Sequence, residues 1–239
     1  MNRSLGVMSV LLLLLPKAVF GAGNVTVVEE EGNIIIRGDR QPNTVIIDIT
    51  SVSGEDGTTI NGGSDSVEIP LDGGLDIDLK DGDDFLDLQD VHRSFLHIRM
   101  GKGNDVLVFA DAGASGTCTV DMGKGDDTVV GDYIEDCGGG LTVDTGAGND
   151  VLHFVTSLLG DAVLMGGPGN DDFRFGVAGS IAGKLFVDMG AGDDTLSLEI
   201  PVGSGSLVRG GRGHDTLADI STDVETTQIH GFEVVTPID

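Results

Sequence analysis

The sequence predicts an all-β fold, a right-handed parallel β-helix or β-roll solenoid of about 21–23 residues per coil with Gly-Asp turns stacked on one edge. Three observations predict it. First, a five-residue turn recurs seven times, closing on Asp84, Asp105, Asp127, Asp150, Asp171, Asp194 and Asp215, at intervals of 21, 22, 23, 21, 23 and 21 residues. A fixed period in the twenties is the mark of coils stacked on one another, and it outranks local propensity. Second, apolar residues alternate on both sides of the turns. Two and four residues after the closing Asp stand Leu86/Leu88, Leu107/Phe109, Leu152/Phe154, Phe173/Phe175 and Leu196/Leu198. Seven residues before it stand Ile77, Ile98, Val120, Val143, Leu164, Val187 and Val208. Period-two alternation around a glycine turn reads as strand, turn, strand, with one face of each strand inward. Third, the 239 residues include 39 glycines and only 4% aromatics, so the turns are many and the core is aliphatic.

Taken in order, residues 1–21 read as a secretory signal peptide. Arg3 gives a positive start, Val7–Leu15 an apolar run too short to span a membrane, and Pro16–Gly21 an exit region. Removing them takes away Arg3 and Lys17 and leaves 11 basic against 40 acidic residues, a net −29 in place of −27. No second apolar segment follows, so the expected mature protein is soluble, secreted or at the cell surface, with the periplasm as the other compartment. Residues 22–74 read as an N-terminal cap of two degenerate coils without the glycine turn, marked by Asn43 with Val45 and Ile47, and by Asp65 with Val67 and Ile69. Residues 75–218 carry the repeats, and residues 219–239 read as a capping strand around Ile229, Phe232 and Val234. Atypical ends are what a solenoid needs to cover its core.

The turns are Lys80–Asp84, Gly101–Asp105, Gly123–Asp127, Gly146–Asp150, Gly167–Asp171, Gly190–Asp194 and Gly211–Asp215. Six have the form Gly-x-Gly-x-Asp. Their glycine pairs are Gly101 and Gly103, Gly123 and Gly125, Gly146 and Gly148, Gly167 and Gly169, Gly190 and Gly192, and Gly211 and Gly213. Glycine permits positive φ, so carbonyls can converge. The Asn or Asp that usually precedes the closing Asp is explained, on sequence alone, by tolerance of the left-handed region. The closing Asp adds a carboxylate. Carbonyls and carboxylates together form a hard-oxygen set suited to Ca²⁺, which takes about six to eight oxygens. One turn is too few, but two turns stacked about 4.8 Å apart can share an ion. Seven turns leave six gaps, so up to about six ions. Without them, seven carboxylates in register would form an unfavourable file of like charges.

The turn resembles the hemolysin-type (RTX) calcium-binding nonapeptide, Gly-Gly-x-Gly-x-Asp-x-apolar-x, of parallel β-rolls. Gly166–Arg174 and Gly210–Ala218 match it fully. In four other copies the first glycine is replaced by Met100, Met122, Thr145 or Met189, and in the earliest copy Leu79 and Lys80 replace both leading residues. The resemblance covers about residues 75–218. It implies that the closing aspartates and the turn carbonyls, those of the twelve glycines above, coordinate Ca²⁺. Members commonly carry turns on both edges, whereas here only one edge has them, which implies a wider coil.

The remaining signals are fewer. Cys118 and Cys137, in a chain with a secretory signal, form either a disulfide between coils or two buried thiols. The acidic charge argues against nucleic acid and anionic membranes as partners. There is no Gly-x-Ser-x-Gly, no His-Glu-x-x-His and no Cys-His pairing, so no enzyme is expected. The expected function is a calcium-dependent structural or binding module, with extracellular polysaccharide or a cell-surface component as partner. The alternatives are a Ca²⁺-dependent polysaccharide lyase or epimerase, and an adhesin or surface-layer component.

Overall fold

The structure is a computed structural model that describes residues 23–239 except 64–65, 136, 156, 177–179, 221–227 and 238–239. The expected signal peptide and Asp65 therefore lie outside the described residues. The chain is an all-β solenoid built of parallel coils, and no helix occurs among the described residues. Two long sheets, of 11 and 12 strands, face each other across the core. The first takes the strand before each glycine turn, such as Cys118–Lys124 and Leu141–Asp144, and the second the strand after it, such as Val151–Val155 and Asp172–Phe175. No helix among the described residues is long and apolar enough to cross a membrane.

The register is the one the repeat spacing implies. Leu75, Leu96, Cys118, Leu141, Ala162 and Leu185 are successive partners in the first sheet. Leu86, Leu107, Val129, Leu152, Phe173, Leu196 and Leu217 are successive partners in the second. All thirteen are buried. Because side chains alternate faces with period two, a slip of one residue would turn a whole column outward, so the apolar columns themselves fix the register. One column contains Phe109, Phe154 and Phe175 with Gly131 between the first two. A Cβ on Gly131 would lie 2.6 Å from Phe154 Cδ1, so the glycine makes room for that ring.

The edge opposite the glycine turns is irregular and carries only short strands. His92–Arg93 pairs with Gly113–Ala114, and Ser157–Leu158 with Ser180–Ile181. Cys118 and Cys137 are joined in a disulfide with a Cα separation of 5.6 Å, tying this edge to the first sheet within one coil. Of the two open readings, the bridge is the one the structure shows.

The cap differs from two degenerate coils. Asn33–Arg37 and Thr44–Ile47 do form one coil, pairing in parallel with the first repeat. The rest is mainly antiparallel: Asn24–Glu30 folds back on Asn33–Arg37, Ser51–Gly54 on Thr44–Ile47, and Ser66–Glu68 on Ser51–Gly54, while Thr59–Ile60 pairs in parallel with Asn24–Val25. Glu31 and Gly32, both at positive φ, make the first hairpin turn. An antiparallel cover presents strands of a different direction to the outside, so the parallel stack has no template on which to continue. At the other end two strands close the stack, Gln228–His230 on the first sheet and Val234–Pro237 on the second.

The disulfide closes a loop across a sequence separation of 19. Constraint of the unfolded chain by such a loop contributes about 3 kcal/mol. Denaturant unfolding of the Cys118→Ser/Cys137→Ser double variant is expected to show a loss of that order; an unchanged midpoint would contradict it.

Candidate metal edge

In the turn Gly167–Asp171, Gly167 has φ 92° and Gly169 φ 150°. A Cβ on Gly169 would sit 1.5 Å from the carbonyl oxygen of Gly148 in the coil below. Glycine is thus required twice over, for backbone conformation and for the close stacking of one turn on the next. The glycine pairs of the other turns repeat this geometry, while Lys80, at φ 83°, takes the first position in the earliest copy without glycine's relief.

These sharp turns leave amides without sheet partners, and side chains supply the acceptors. Two ladders result. In the inner one, the closing Asp of each coil uses Oδ1 to accept the N–H of the closing Asp one coil earlier. The Asp84 amide donates to Asp105 at 2.8 Å, Asp105 to Asp127 at 2.8 Å, Asp127 to Asp150 at 2.8 Å, Asp150 to Asp171 at 2.9 Å, Asp171 to Asp194 at 2.8 Å and Asp194 to Asp215 at 3.1 Å. Asn43 starts the series, donating its amide to Asp84 Oδ1 at 2.7 Å, and Glu233 ends it by accepting the Asp215 amide.

The outer ladder runs the opposite way through the preceding residue. Asn104 donates its amide to Asp83 Oδ1, Asp126 to Asn104, Asn149 to Asp126, Asn170 to Asn149, Asp193 to Asn170 and His214 to Asp193, all at 2.8–2.9 Å. This corrects the sequence-based reason for Asn or Asp there. None of these residues has positive φ. The position needs a short side-chain oxygen that reaches the next coil, and His214, last in the series, contributes only its N–H.

The inner ladder uses half of each carboxylate. Asp84, Asp105, Asp127, Asp150, Asp171, Asp194 and Asp215 are all buried, at 0–2% exposure. In each, Oδ2 is buried with no hydrogen-bond partner. Burial pushes the pKa up to about 7 at Asp84, 8 at Asp105 and Asp127, 6 at Asp150, 7 at Asp171 and 6 at Asp194, against a backbone amide that pulls each down, helped by the Asn43 side chain at Asp84 and the Thr145 side chain at Asp150. Asp215 is raised for the same first reason. Neighbouring carboxylates in the file add to the effect at most positions; Asp105, for example, is also raised by Asp84. The ion pairs among the described residues use other aspartates, such as Asp76 with Arg37 and Arg99, and Asp81 with Lys102.

The structure thus brings all seven predicted aspartates into one file. The glycines expected to offer carbonyl ligands also have a stacking role, through backbone hydrogen bonds between turns. At the first position of the turn, the carbonyl of Gly123 accepts the Ala147 amide, that of Gly167 the Ala191 amide, and that of Gly190 the Arg212 amide. At the second position, the amides of Gly103, Gly125 and Gly192 donate to the carbonyls of Lys124, Ala147 and Arg212 in the next coil, at 2.8, 2.9 and 2.8 Å. The carbonyls at this position lie against the backbone of the coil above. A Cβ on Gly125 would sit 1.7 Å from the Gly103 oxygen, one on Gly148 1.8 Å from the Gly125 oxygen, and one on Gly213 1.8 Å from the Gly192 oxygen. These carbonyls thus lie against the backbone of the next coil. Gly213 belongs to the last turn and is itself exposed, with φ 134°.

Among the described residues no three His, Cys, Asp or Glu side chains converge on one point. A cation on this edge would be held by one or two carboxylates with carbonyls, and the orphaned Oδ2 atoms fit that donor set. Glu233 escaped the sequence reading because it lies 18 residues after Asp215, off the period, and carries no glycine turn; Asn43 was legible from its flanking apolar residues.

On the irregular edge a cleft of about 370 Å³ is lined by Leu71, Asp72, His92, Arg93, Ser94 and Ser115, among others. Arg93 is buried there and donates to the carbonyls of Ile49, Pro70 and Asp72, pinning the cap to the first repeats.

Comparison of the chain with protein-family models, with curated proteins and with solved structures gave no match.

The raised pKa values fix the sign of a pH dependence. The folded values lie above the ordinary carboxylate value of about 4, so the stability they govern is full below that value and is lost as pH rises through about 6–8. In chelator, the melting temperature is expected to fall between pH 5 and pH 9; a flat or rising profile would contradict the buried file. Asp127→Asn keeps the Oδ1 acceptor and removes a buried charge, so in chelator at pH 9 it should melt higher than wild type. Asp127→Ala, which strands the Asp105 amide, should melt lower than Asp127→Asn by the equivalent of about 1–3 kcal/mol.

Proposed function

We propose that the chain is a secreted calcium-binding β-solenoid of the hemolysin-type (RTX) repeat class, a structural or binding module whose folding is coupled to Ca²⁺. The observation that carries this reading is the file of seven buried carboxylates, each with an oxygen that has no partner. A buried anion without a counter-charge is unfavourable by several kcal/mol, and it neutralises or finds a cation. Protons meet that need below about pH 6. At neutral pH a divalent cation meets it without protonation, and hard carboxylate and carbonyl oxygens favour Ca²⁺ over softer metals. The inner ladder holds each carboxylate by Oδ1 and leaves Oδ2 for the ion, so the turn is organised before the ion arrives.

Secretion is supported by the leader pattern in residues 1–21 and by the Cys118–Cys137 bridge, which suits an oxidising compartment. Extracellular Ca²⁺ is millimolar, so ion binding there adds to folding free energy. The regular edge accounts for cohesion. The irregular edge, with its loops of unequal length, is the face on which a module of this kind would carry a ligand such as extracellular polysaccharide or a cell-surface component.

The test is far-UV circular dichroism with thermal melts at pH 7.5, in EDTA and then in millimolar CaCl₂. The β signal and the melting temperature should rise with calcium and stay low with magnesium, which dehydrates reluctantly. Identical melts in EDTA and calcium would defeat the reading.

A further inference from the structure

We propose, resting on the module reading above, that the cleft on the irregular edge is a binding site for a neutral saccharide, a short segment of an uncharged polysaccharide seated where the cap meets the first repeats.

The cleft, of about 370 Å³, is lined from three successive passes of the chain across this edge: Leu71 and Asp72 in the first, His92, Arg93 and Ser94 in the second, and Ser115 in the third. Sites for small ligands usually have about 300–1,000 Å³. Backbone bonds hold the passes together. The Ser94 amide donates to the Gly73 carbonyl, the Ser115 amide to the Arg93 carbonyl and the Gly116 amide to the Ser94 carbonyl, each at 2.9 Å. The Arg93 guanidinium ties the carbonyls of Ile49, Pro70 and Asp72 to the same stack. The walls are set before a ligand arrives, so binding has little further ordering to do.

The lining selects the ligand class. Ser94, Ser115 and His92 are exposed and offer two hydroxyls and an imidazole, which donate as well as accept, and exposed Asp72 accepts. Neither serine hydroxyl is bonded to another described residue. Leu71, at 58% exposure, adds an apolar surface, and Ile49, at 44%, lies in the neighbouring loop that Arg93 binds. An anion is disfavoured. The chain carries a net −27, Asp72 lines the cleft, and His92 lies 3.5 Å from Asp90 and 4.0 Å from Asp111. The one guanidinium in the lining is already bound to three carbonyls. A cation meets the positive charge of Arg93, and no three His, Cys, Asp or Glu side chains among the described residues converge to hold one. A neutral polyol fits both halves of the lining: its hydroxyls pair with the serines and Asp72, and its C–H face covers Leu71.

Isothermal titration calorimetry at pH 7.5 on the full chain in millimolar CaCl₂ tests this, with the neutral cello-, xylo-, manno- and maltohexaoses and the anionic hexagalacturonate as probes. At least one neutral hexasaccharide should bind, and hexagalacturonate should bind more weakly. Ser94→Trp and Ser115→Trp, each filling the cleft from an exposed position, should weaken that binding by about tenfold or more. Leu159→Ala, at a 73% exposed side chain further along the same edge, should leave it unchanged. No binding of any neutral hexasaccharide, a preference for hexagalacturonate, or binding that survives both natively folded tryptophan variants overturns the site. If both lose their β signal, Leu71→Ala decides, with a loss of affinity expected and an unchanged affinity overturning the site. Identical melts in EDTA and calcium defeat the calcium reading and leave this titration standing on the folded protein; calcium-dependent melts without saccharide binding defeat the cleft alone.

Discussion

The bond from each coil's closing carboxylate to the amide one coil earlier is the contact on which the edge depends. It is repeated from Asp84 to Asp215, and it caps amides that the sharp glycine turn removes from the sheets. The same bond creates the chemical problem of the molecule. Holding Oδ1 against a backbone amide draws the whole carboxylate inside, where Oδ2 has no partner and where the next carboxylate in the file is one strand spacing away, about 4.8 Å. The stack gains order and acquires a row of buried charges from one geometric choice. Protons relieve that row, and the calcium proposed above would do the same, which would link the fold to its ionic surroundings.

The rest of the architecture follows from keeping the coils in register long enough for the file to form. Apolar columns on both sheets set the register, and their aliphatic composition tolerates the 21-to-23 residue variation because the extra residues are taken up at the irregular edge. That edge is held by other means: short paired strands, the Cys118–Cys137 bridge and Arg93 bound to three carbonyls of the cap. The two edges thus differ in kind. One is made of backbone and carboxylates in strict repetition, and the other of individual contacts that occur once.

The solenoid was legible in the sequence because period-two alternation beside a fixed 21-to-23 repeat admits few other folds; columns such as Leu96–Cys118–Leu141 fall where the spacing places them. The seven closing aspartates were legible as a set for the same reason. Their chemistry was less so. An oxygen-bearing short side chain suits both a metal ligand and a hydrogen-bond ladder, and the repeat alone does not separate the two. Glycine is ambiguous in the same way: at Gly103, Gly125, Gly192 and Gly213 it serves the close approach of coils, a need that leaves the same mark in the sequence as a converging carbonyl. The Asn and Asp residues at 83, 104, 126, 149, 170 and 193 read as left-handed turn formers, and they are acceptors at ordinary φ. The antiparallel cap was hidden because alternation gives a strand its faces but not its direction, as at Ser51–Gly54. Glu233 was hidden because it breaks the period.

The inner ladder requires buried carboxylates that stay protonated well above the ordinary range in chelator, and side-chain carboxyl ¹³C NMR of the chelated protein observes them one by one. Between pH 3 and pH 10 a group of aspartates is expected to show midpoints near 6–8, separate from the exposed majority near 4, with loss of that late titration when millimolar Ca²⁺ is added. A spectrum in which every aspartate of the folded, metal-free protein titrates near 4 would contradict it.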